Sequence, residues 1–244
     1  MSDSILIGRN AVLEALKASR PIEKIYLLKG AEGGSIPAIL GAAKRRSVPV
    51  QLTDRKSLDQ MSQENHQGVI ALVSAVSYVE VSDILERAAQ AGEAPFILIC
   101  ESIQDPHNLG AIVRTAYCCG VHGIVISKHH AVPLTDSVAK TAAGALEYVP
   151  IAKVSSIAKL IDSLKKENIW TACADMDGEN VFTKDLTGPL ALVIGGEHEG
   201  ISRLVKEKCD FTVSIPMRGT VGSLNASVAA GVLMYEITRK RQYE

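Results

Sequence analysis

The stretch "PFILICESIQDPHNLGAIVRTAYCCGVHGIVIS", residues 95–127, decides the fold class. It opens on the continuous apolar run PFILIC, which reads as a strand buried on both faces. "NLGAIVRTAYCCG" follows with helical spacing, and "GIVIS" closes the unit as a second buried strand. The same alternation continues downstream. "YVPIA" reads as a strand, "SIAKLIDSLKKEN" as a helix, and "WTACA" and "LALVIG" as strands. A short helix from Ile201, the strand "FTVSIP" and a final helix complete the chain. Apolar runs alternating with helices predict a parallel α/β sheet covered on both faces. Ligands of such sheets bind beyond the carboxyl ends of the strands.

Upstream, the first 75 or so residues alternate shorter helices and strands. "GRNAVLEALKAS" has helical spacing at Val12, Leu13 and Leu16, and "KIYLL" reads as a strand. "IPAILGAAKRRS" reads as a helix with a basic end. "VPVQL" and, after a polar stretch, "HQGVIALVSAV" read as strands. "SYVEVSDILERAAQAGEA" then loses the strand pattern and carries charge. The predicted organisation is a small N-terminal α/β domain over residues 1–76, a linker with one amphipathic helix over 77–93, and a larger α/β domain over 94–244.

Composition bounds the function. The 244 residues are 47% hydrophobic and 22% charged, which is ordinary globular composition. No apolar run approaches the roughly 18 residues of a membrane helix, and the N-terminus does not read as a signal peptide. Five cysteines without a CxxC spacing argue for reduced thiols in a cytoplasmic protein. Cys118 and Cys119 fall on a predicted buried helix, where packing is their expected role. The formal net charge of −1 gives no global attraction to nucleic acid, so any such partner must be held by a local patch. The six histidines lack zinc-site spacings, and no metal is expected; His129 and His130 read as exposed loop residues.

Three loops after predicted strands carry the chemistry. In "ESIQDPHNLGAIVRTA", Asn108 precedes a helix and can cap it, while Arg114 has apolar neighbours, a setting in which a guanidinium wants an anionic partner. In "LALVIGGEHEGIS", Gly195 and Gly196 permit close backbone approach to a ligand. Glu197 and Glu199 either favour the following helix or face a ligand. Two carboxylates there suit a cationic or neutral nucleoside better than a phosphorylated one. Neither GxGxxG nor a phosphate-loop motif is present. "IPMRGTVGSLNASVAAGVLMYEI", residues 215–237, holds Gly219, Gly222, Ser223 and Asn225, more than a plain strand-to-helix turn needs. Ser223 is not in a GxSxG elbow, so a hydrolase nucleophile is discounted.

Together, "DPHNLGAIVRTA", "LALVIGGEHEGIS" and "IPMRGTVGSLNASVA", in this order and at these spacings, resemble the three motifs of the SpoU (SPOUT-class) RNA 2′-O-ribose methyltransferases. The resemblance covers nearly the whole chain and is greatest to members that methylate a guanosine of bacterial 23S rRNA, in the peptidyl-tRNA-binding loop. It implies an α/β trefoil knot in the C-terminal domain, an exception to the rule against threaded loops. It also implies S-adenosylmethionine as cofactor, 23S rRNA or a ribosomal precursor as partner, and a homodimer with the active site at its interface. Carried over residue by residue, main-chain cofactor contacts fall on Gly195, Ile215 and Leu224, beside Gly196 and Met217. The polar active-site positions fall on Asn108, Arg114, Glu197, Ser223 and Asn225. The N-terminal domain resembles a ribosomal-protein-like RNA-binding module. There Arg9, Lys29, Lys44, Arg45 and Arg46 are either phosphate contacts or solvated surface charge.

The resemblance leaves two roles for Arg114, as a base or as a donor that binds phosphate and stabilises developing alkoxide. A guanidinium with a pKa above about 12 favours the second. It can serve its own cofactor or that of a partner subunit. A tRNA methyltransferase and a non-catalytic ribosome-assembly factor are the competing functions. The second predicts erosion of the five polar positions, all of which are intact.

Overall fold

A computed structural model of the chain describes residues 5–18, 20–128, 130–197, 199–219 and 222–243. His129 lies outside them, as does His198. The chain divides into two compact units, one of residues 1–77 with 133–136 and one of residues 78–132 with 137–244.

The first unit contains β1 (Ile5–Ile7), α1 (Arg9–Lys17), β2 (Ile22–Leu28), α2 (Ile36–Arg45), β3 (Val50–Thr53), α3 (Arg55–Met61) and β4 (Val69–Val73). Its sheet has the order β1-β4-β2-β3, with β2 and β3 parallel and the other pairs antiparallel. The core joins Val12 and Leu16 of α1, Ile36 and Ile39 of α2, and Ile25, Leu27, Val69 and Ala71 of the sheet. The polar stretch before β4 holds α3, which the sequence pattern does not reveal. It buries only Leu58, so it has no apolar stripe, and Asp54 starts it by accepting the Ser57 amide at 2.8 Å.

The second unit begins with α4 (Val81–Ala91), which lies in the stretch expected to be a linker. Its Ile84 and Ala88 are fully buried. Ile84 packs so tightly on Gly123 that a Cβ there would lie 2.6 Å from the isoleucine side chain. The elements that follow are β5 (Phe96–Glu101), α5 (Pro106–Cys118), β6 (Gly123–Ser127), α6 (Asp136–Ala142), a 3-10 turn (Ala145–Glu147), β7 (Ile151–Val154) and α7 (Ile157–Lys166). Then come β8 (Trp170–Asn180), β9 (Leu190–Gly195), α8 (Arg203–Lys208), β10 (Phe211–Ser214) and α9 (Ala226–Tyr243).

The six strands form one sheet of order β10-β8-β9-β5-β6-β7, parallel at every pairing. Alternate residues of the central strands serve two cores, which is why these strands read as unbroken apolar runs. Ile97, Ile99, Val125, Ala191 and Val193 meet Ile161 and Leu164 of α7 on one side. Leu98, Ile124 and Leu192 are buried on the other, where α9 packs on α5 and β9. Cys100 is part of this packing, and burial pushes its thiol up to about 12. The expectation for Cys118 fails: Cys119 is buried, but Cys118 lies on the exposed side of α5.

Two irregularities matter for the site. β8 pairs with β10 through Cys173 and Thr212, and the next partners are Glu179 and Val213. Residues 174–178 therefore bow out of the ladder with β10, and the ladder with β9 has ended at Cys173. At the end of β9, a Cβ on Gly196 would overlap the carbonyl of Ser102, just beyond β5, and one on Gly195 would overlap the Gly200 main chain. The close approach expected of these two glycines is thus first an approach to the protein's own backbone.

Two measurements check this packing. Ile84→Ala should destabilise the second unit by about 2–5 kcal/mol, read in urea by the fluorescence of Trp170, the only tryptophan. Gly196→Ala should cost about 1–3 kcal/mol or more, because main chain rather than a flexible side chain must move.

Candidate active site

The carboxyl ends of β8, β9 and β10 enclose a cavity of about 250 Å³. Ala174–Met176 line it from β8, Ile194–Glu197 from β9 and Val213–Ile215 from β10. Gly200 and Ile201 form one rim; Met217, Gly222, Ser223 and Leu224 form another; Ala226, Ala229 and Leu233 of α9 close it. The wall is mostly aliphatic. Its charged members are the carboxylates Asp175 and Glu197, and no lysine or arginine belongs to it among the described residues. Such a lining suits a planar apolar ring joined to a neutral or cationic polar group, and disfavours phosphate.

The loop from Ile215 to Leu224 supplies the rest. Among the described residues, none of its main-chain groups is hydrogen-bonded within the protein. Backbone donors and acceptors seek partners, so this rim can hold a ligand through its main chain. The loop ends at Asn225, whose Oδ1 accepts the Ser227 amide at 2.9 Å, the Ser227 hydroxyl at 2.6 Å and the Val228 amide at 3.3 Å. Asn225 therefore starts α9 as its cap, a local role that the sequence reading did not assign to it.

Asn108 does not cap α5. Asp105 does, accepting the His107 amide at 2.8 Å, and Pro106 takes the first helical position, where a missing N–H costs nothing. Asn108 lies one turn further in, 7% exposed, and its Nδ2 donates to Oε1 of Glu197. Glu101 at the end of β5 adds a second tie, accepting the Ser202 amide at 2.9 Å and its hydroxyl at 2.7 Å. The loop between Glu197 and Ser202 is thus anchored at both ends to the β5–α5 turn.

Arg114 is exposed on α5 and does not line the cavity. Six residues after Asn108, it points about 240° around the helix from it. Near it the same helix exposes Tyr117, which stacks on Tyr148 with ring centroids 5.1 Å apart; α9 exposes Val228 and Tyr235. One chain therefore gathers Gly195, Gly196, Glu197, Ile215, Met217, Ser223 and Leu224 at the cavity, with Asn108 behind Glu197. Arg114 stands apart. Asp175 and Met176 are among the lining residues that the sequence reading missed. The signal was available, since "DMDGEN" follows the strand WTACA as the other loops follow theirs.

In the first unit, Lys29, Lys44 and Arg45 are exposed. Arg46 is not free for a ligand. Its guanidinium donates to the carbonyls of Ala15, Leu16 and Arg20, tying α2 to the end of α1. Arg9 likewise donates to the carbonyls of Gln67 and Gly33. No helix among the described residues is long and apolar enough to cross a membrane.

Comparison with known proteins agrees with this geometry. Residues 95–235 match the model of the SpoU rRNA Methylase family, and residues 5–79 match that of the RNA 2′-O ribose methyltransferase substrate-binding domain. A Bacillus subtilis protein named for the TrmH family of tRNA/rRNA methyltransferases, YacO, is 47% identical over 97% of this chain and 95% of its own. The SpoU methyltransferase AviRb of Streptomyces viridochromogenes, solved in complex with its cofactor AdoMet, is 26% identical with a TM-score of 0.63, over 98% of this chain and 90% of that one. The A. aeolicus TrmH/SpoU tRNA modifying enzyme is 27% identical with a TM-score of 0.56, over 66% of this chain and 84% of its own. The expected α/β SPOUT fold, with a parallel sheet and a small N-terminal α/β domain, is the fold observed. With both of its matched regions accounted for, the chain belongs to the SpoU family of RNA methyltransferases.

Proposed function

We propose that this protein transfers a methyl group from S-adenosylmethionine to the ribose 2′-hydroxyl of a guanosine in 23S rRNA, in the peptidyl-tRNA-binding loop. The observation that carries the reading is the cavity at the ends of β8, β9 and β10, with aliphatic walls, two carboxylates and a rim of free main-chain groups. When bound, the cofactor supplies a methyl group already activated on a sulfonium. The chain's own residues have to hold the hydroxyl in line and manage its proton. Glu197, fixed by the Asn108 amide, provides negative charge beside the cationic end of the cofactor. Ile215 and Leu224 offer main chain, Ser223 a hydroxyl at the rim, and Asn225 sets where the rim turns into α9.

Arg114 binds the substrate phosphate and stabilises charge developing on the ribose oxygen. Its place outside its own chain's cavity, on a helix that exposes Tyr117 and packs on α9 with its exposed Val228 and Tyr235, supports a homodimer in which Arg114 completes the partner's site. A large RNA substrate is supported by the substrate-binding match over residues 5–79. The tRNA enzyme of A. aeolicus, by contrast, covers only 66% of this chain. The division into an RNA-holding domain at 1–76, a connecting stretch at 77–93 and a methyltransferase domain at 94–244 belongs to the same reading. Because the shared name of the relatives spans tRNA and rRNA, tRNA is the alternative substrate.

Ribose-methylation mapping of rRNA and tRNA from a deletion strain tests the substrate: one 23S guanosine should lose its methyl group. Loss from a tRNA with rRNA unchanged would overturn the proposal. Arg114→Ala should lower the single-turnover rate by roughly 100- to 1000-fold while leaving cofactor affinity unchanged. Replacing Lys44 and Arg45 together with glutamine should flatten the plot of log affinity for RNA against log salt by about 1.4–1.8, the share of two phosphate contacts. Arg46→Gln should instead lower the stability of the first unit.

A further inference from the structure

The excursion of β8 between Cys173 and Glu179 adds nothing to the sheet, since residues 174–178 lie outside both of its ladders. Yet it is closed deliberately. The Ser214 hydroxyl donates to the Gly178 carbonyl at 2.8 Å and holds the far end of the bow against β10. What the bow delivers to the cavity is Asp175, together with Met176.

Asp175 is held from two sides. Its Oδ1 accepts the Asp177 amide at 3.2 Å, and its Oδ2 lies 3.1 Å from Nζ of Lys206 on α8. Burial favours the neutral form, but the Lys206 and Asp177 bonds outweigh it and hold the carboxyl below its ordinary range. At neutral pH it is therefore ionised and can only accept. An ionised carboxylate has about four acceptor positions, each able to be shared between donors, and the Lys206, Asp177 and Met176 donors on Asp175 do not exhaust them.

The two carboxylates of the cavity differ in a way that separates their roles. Glu197 is bonded by a neutral amide, and no cation pairs with it among the described residues. The charge of Asp175 is already balanced by Lys206. A cationic group gains more beside Glu197, whereas Asp175 is suited to a pair of neutral hydroxyl donors. We propose that Asp175 binds the vicinal ribose hydroxyls of the nucleoside cofactor, with Lys206 as the residue that positions it. This rests on the reading that the cavity holds S-adenosylmethionine.

The test is calorimetric titration of the full chain with three probes. S-adenosylmethionine and S-adenosylhomocysteine differ in the charge at sulfur, and 5′-methylthioadenosine lacks the amino-acid arm; all three carry the diol. Asp175→Ala should weaken all three by a similar factor, about 10- to 100-fold, as expected for losing hydrogen bonds to a charged acceptor. Wild-type protein should discriminate by a like factor against the 2′-deoxy analogue of S-adenosylhomocysteine, and Asp175→Ala should not. Lys206→Met should weaken the three probes together, by less. A loss confined to S-adenosylmethionine would make Asp175 a counterion and overturn the assignment. So would wild-type protein that binds the 2′-deoxy analogue as tightly as its parent, a measurement that needs no variant to fold. Wild-type protein that binds none of the three probes overturns the cofactor reading and this assignment with it. Tight wild-type binding that Asp175→Ala leaves unchanged overturns the assignment alone.

Discussion

The carbonyl of Ser102 rests directly against Gly196, and the rest of the site depends on that contact. It brings the exits of β5 and β9 together with no side chain between them. Two polar ties then become possible on either side of it, Asn108 to Glu197 and Glu101 to Ser202. These three contacts join segments about a hundred residues apart and set the wall of the cavity. Ser102 itself takes a left-handed backbone conformation, φ 57°, uncommon for a residue with a side chain. The surrounding packing must sustain that conformation.

Much of the fold was legible because each central strand announces itself. PFILIC, GIVIS and LALVIG are apolar without alternation, and a strand buried on both faces can have no other composition. The helices α5 and α7 were readable for a complementary reason, since each buries one apolar stripe. Elements that bury little escaped. α3 buries Leu58 alone, and α6 is short, with only Val138 and Ala142 buried. The amphipathic helix expected within 77–93 is α4, whose long polar face hides how deeply Ile84 and Ala88 are buried.

The site was legible in identity more than in role. Glycines, an asparagine and an arginine in fixed order pointed to a ligand, and seven of the named positions do meet at one cavity. Sequence could not say that Gly196 faces protein, that Arg46 holds α1, or that Asn225 caps α9. These are partners distant in the chain or hydrogen bonds that compete with a ligand for the same atoms. Arg114 shows the opposite limit. Its apolar neighbours in sequence suggested burial, but a helix turns each residue by 100°, and its neighbours face the core while it does not.

The bowed segment of β8 has a consequence for how such a protein can change. A residue added or removed within Trp170–Cys173 would turn alternate side chains to the wrong face of the sheet, because strand side chains repeat every two residues. Residues 174–178 carry no such restriction, since no register passes through them. Their length can change without shifting the hydrogen-bonded frame, provided that Gly178, where a Cβ would lie 2.5 Å from the Val213 main chain, keeps its place. The mouth of the cavity is therefore the part of this domain where new ligand preferences can arise by insertion or deletion, at little cost to folding.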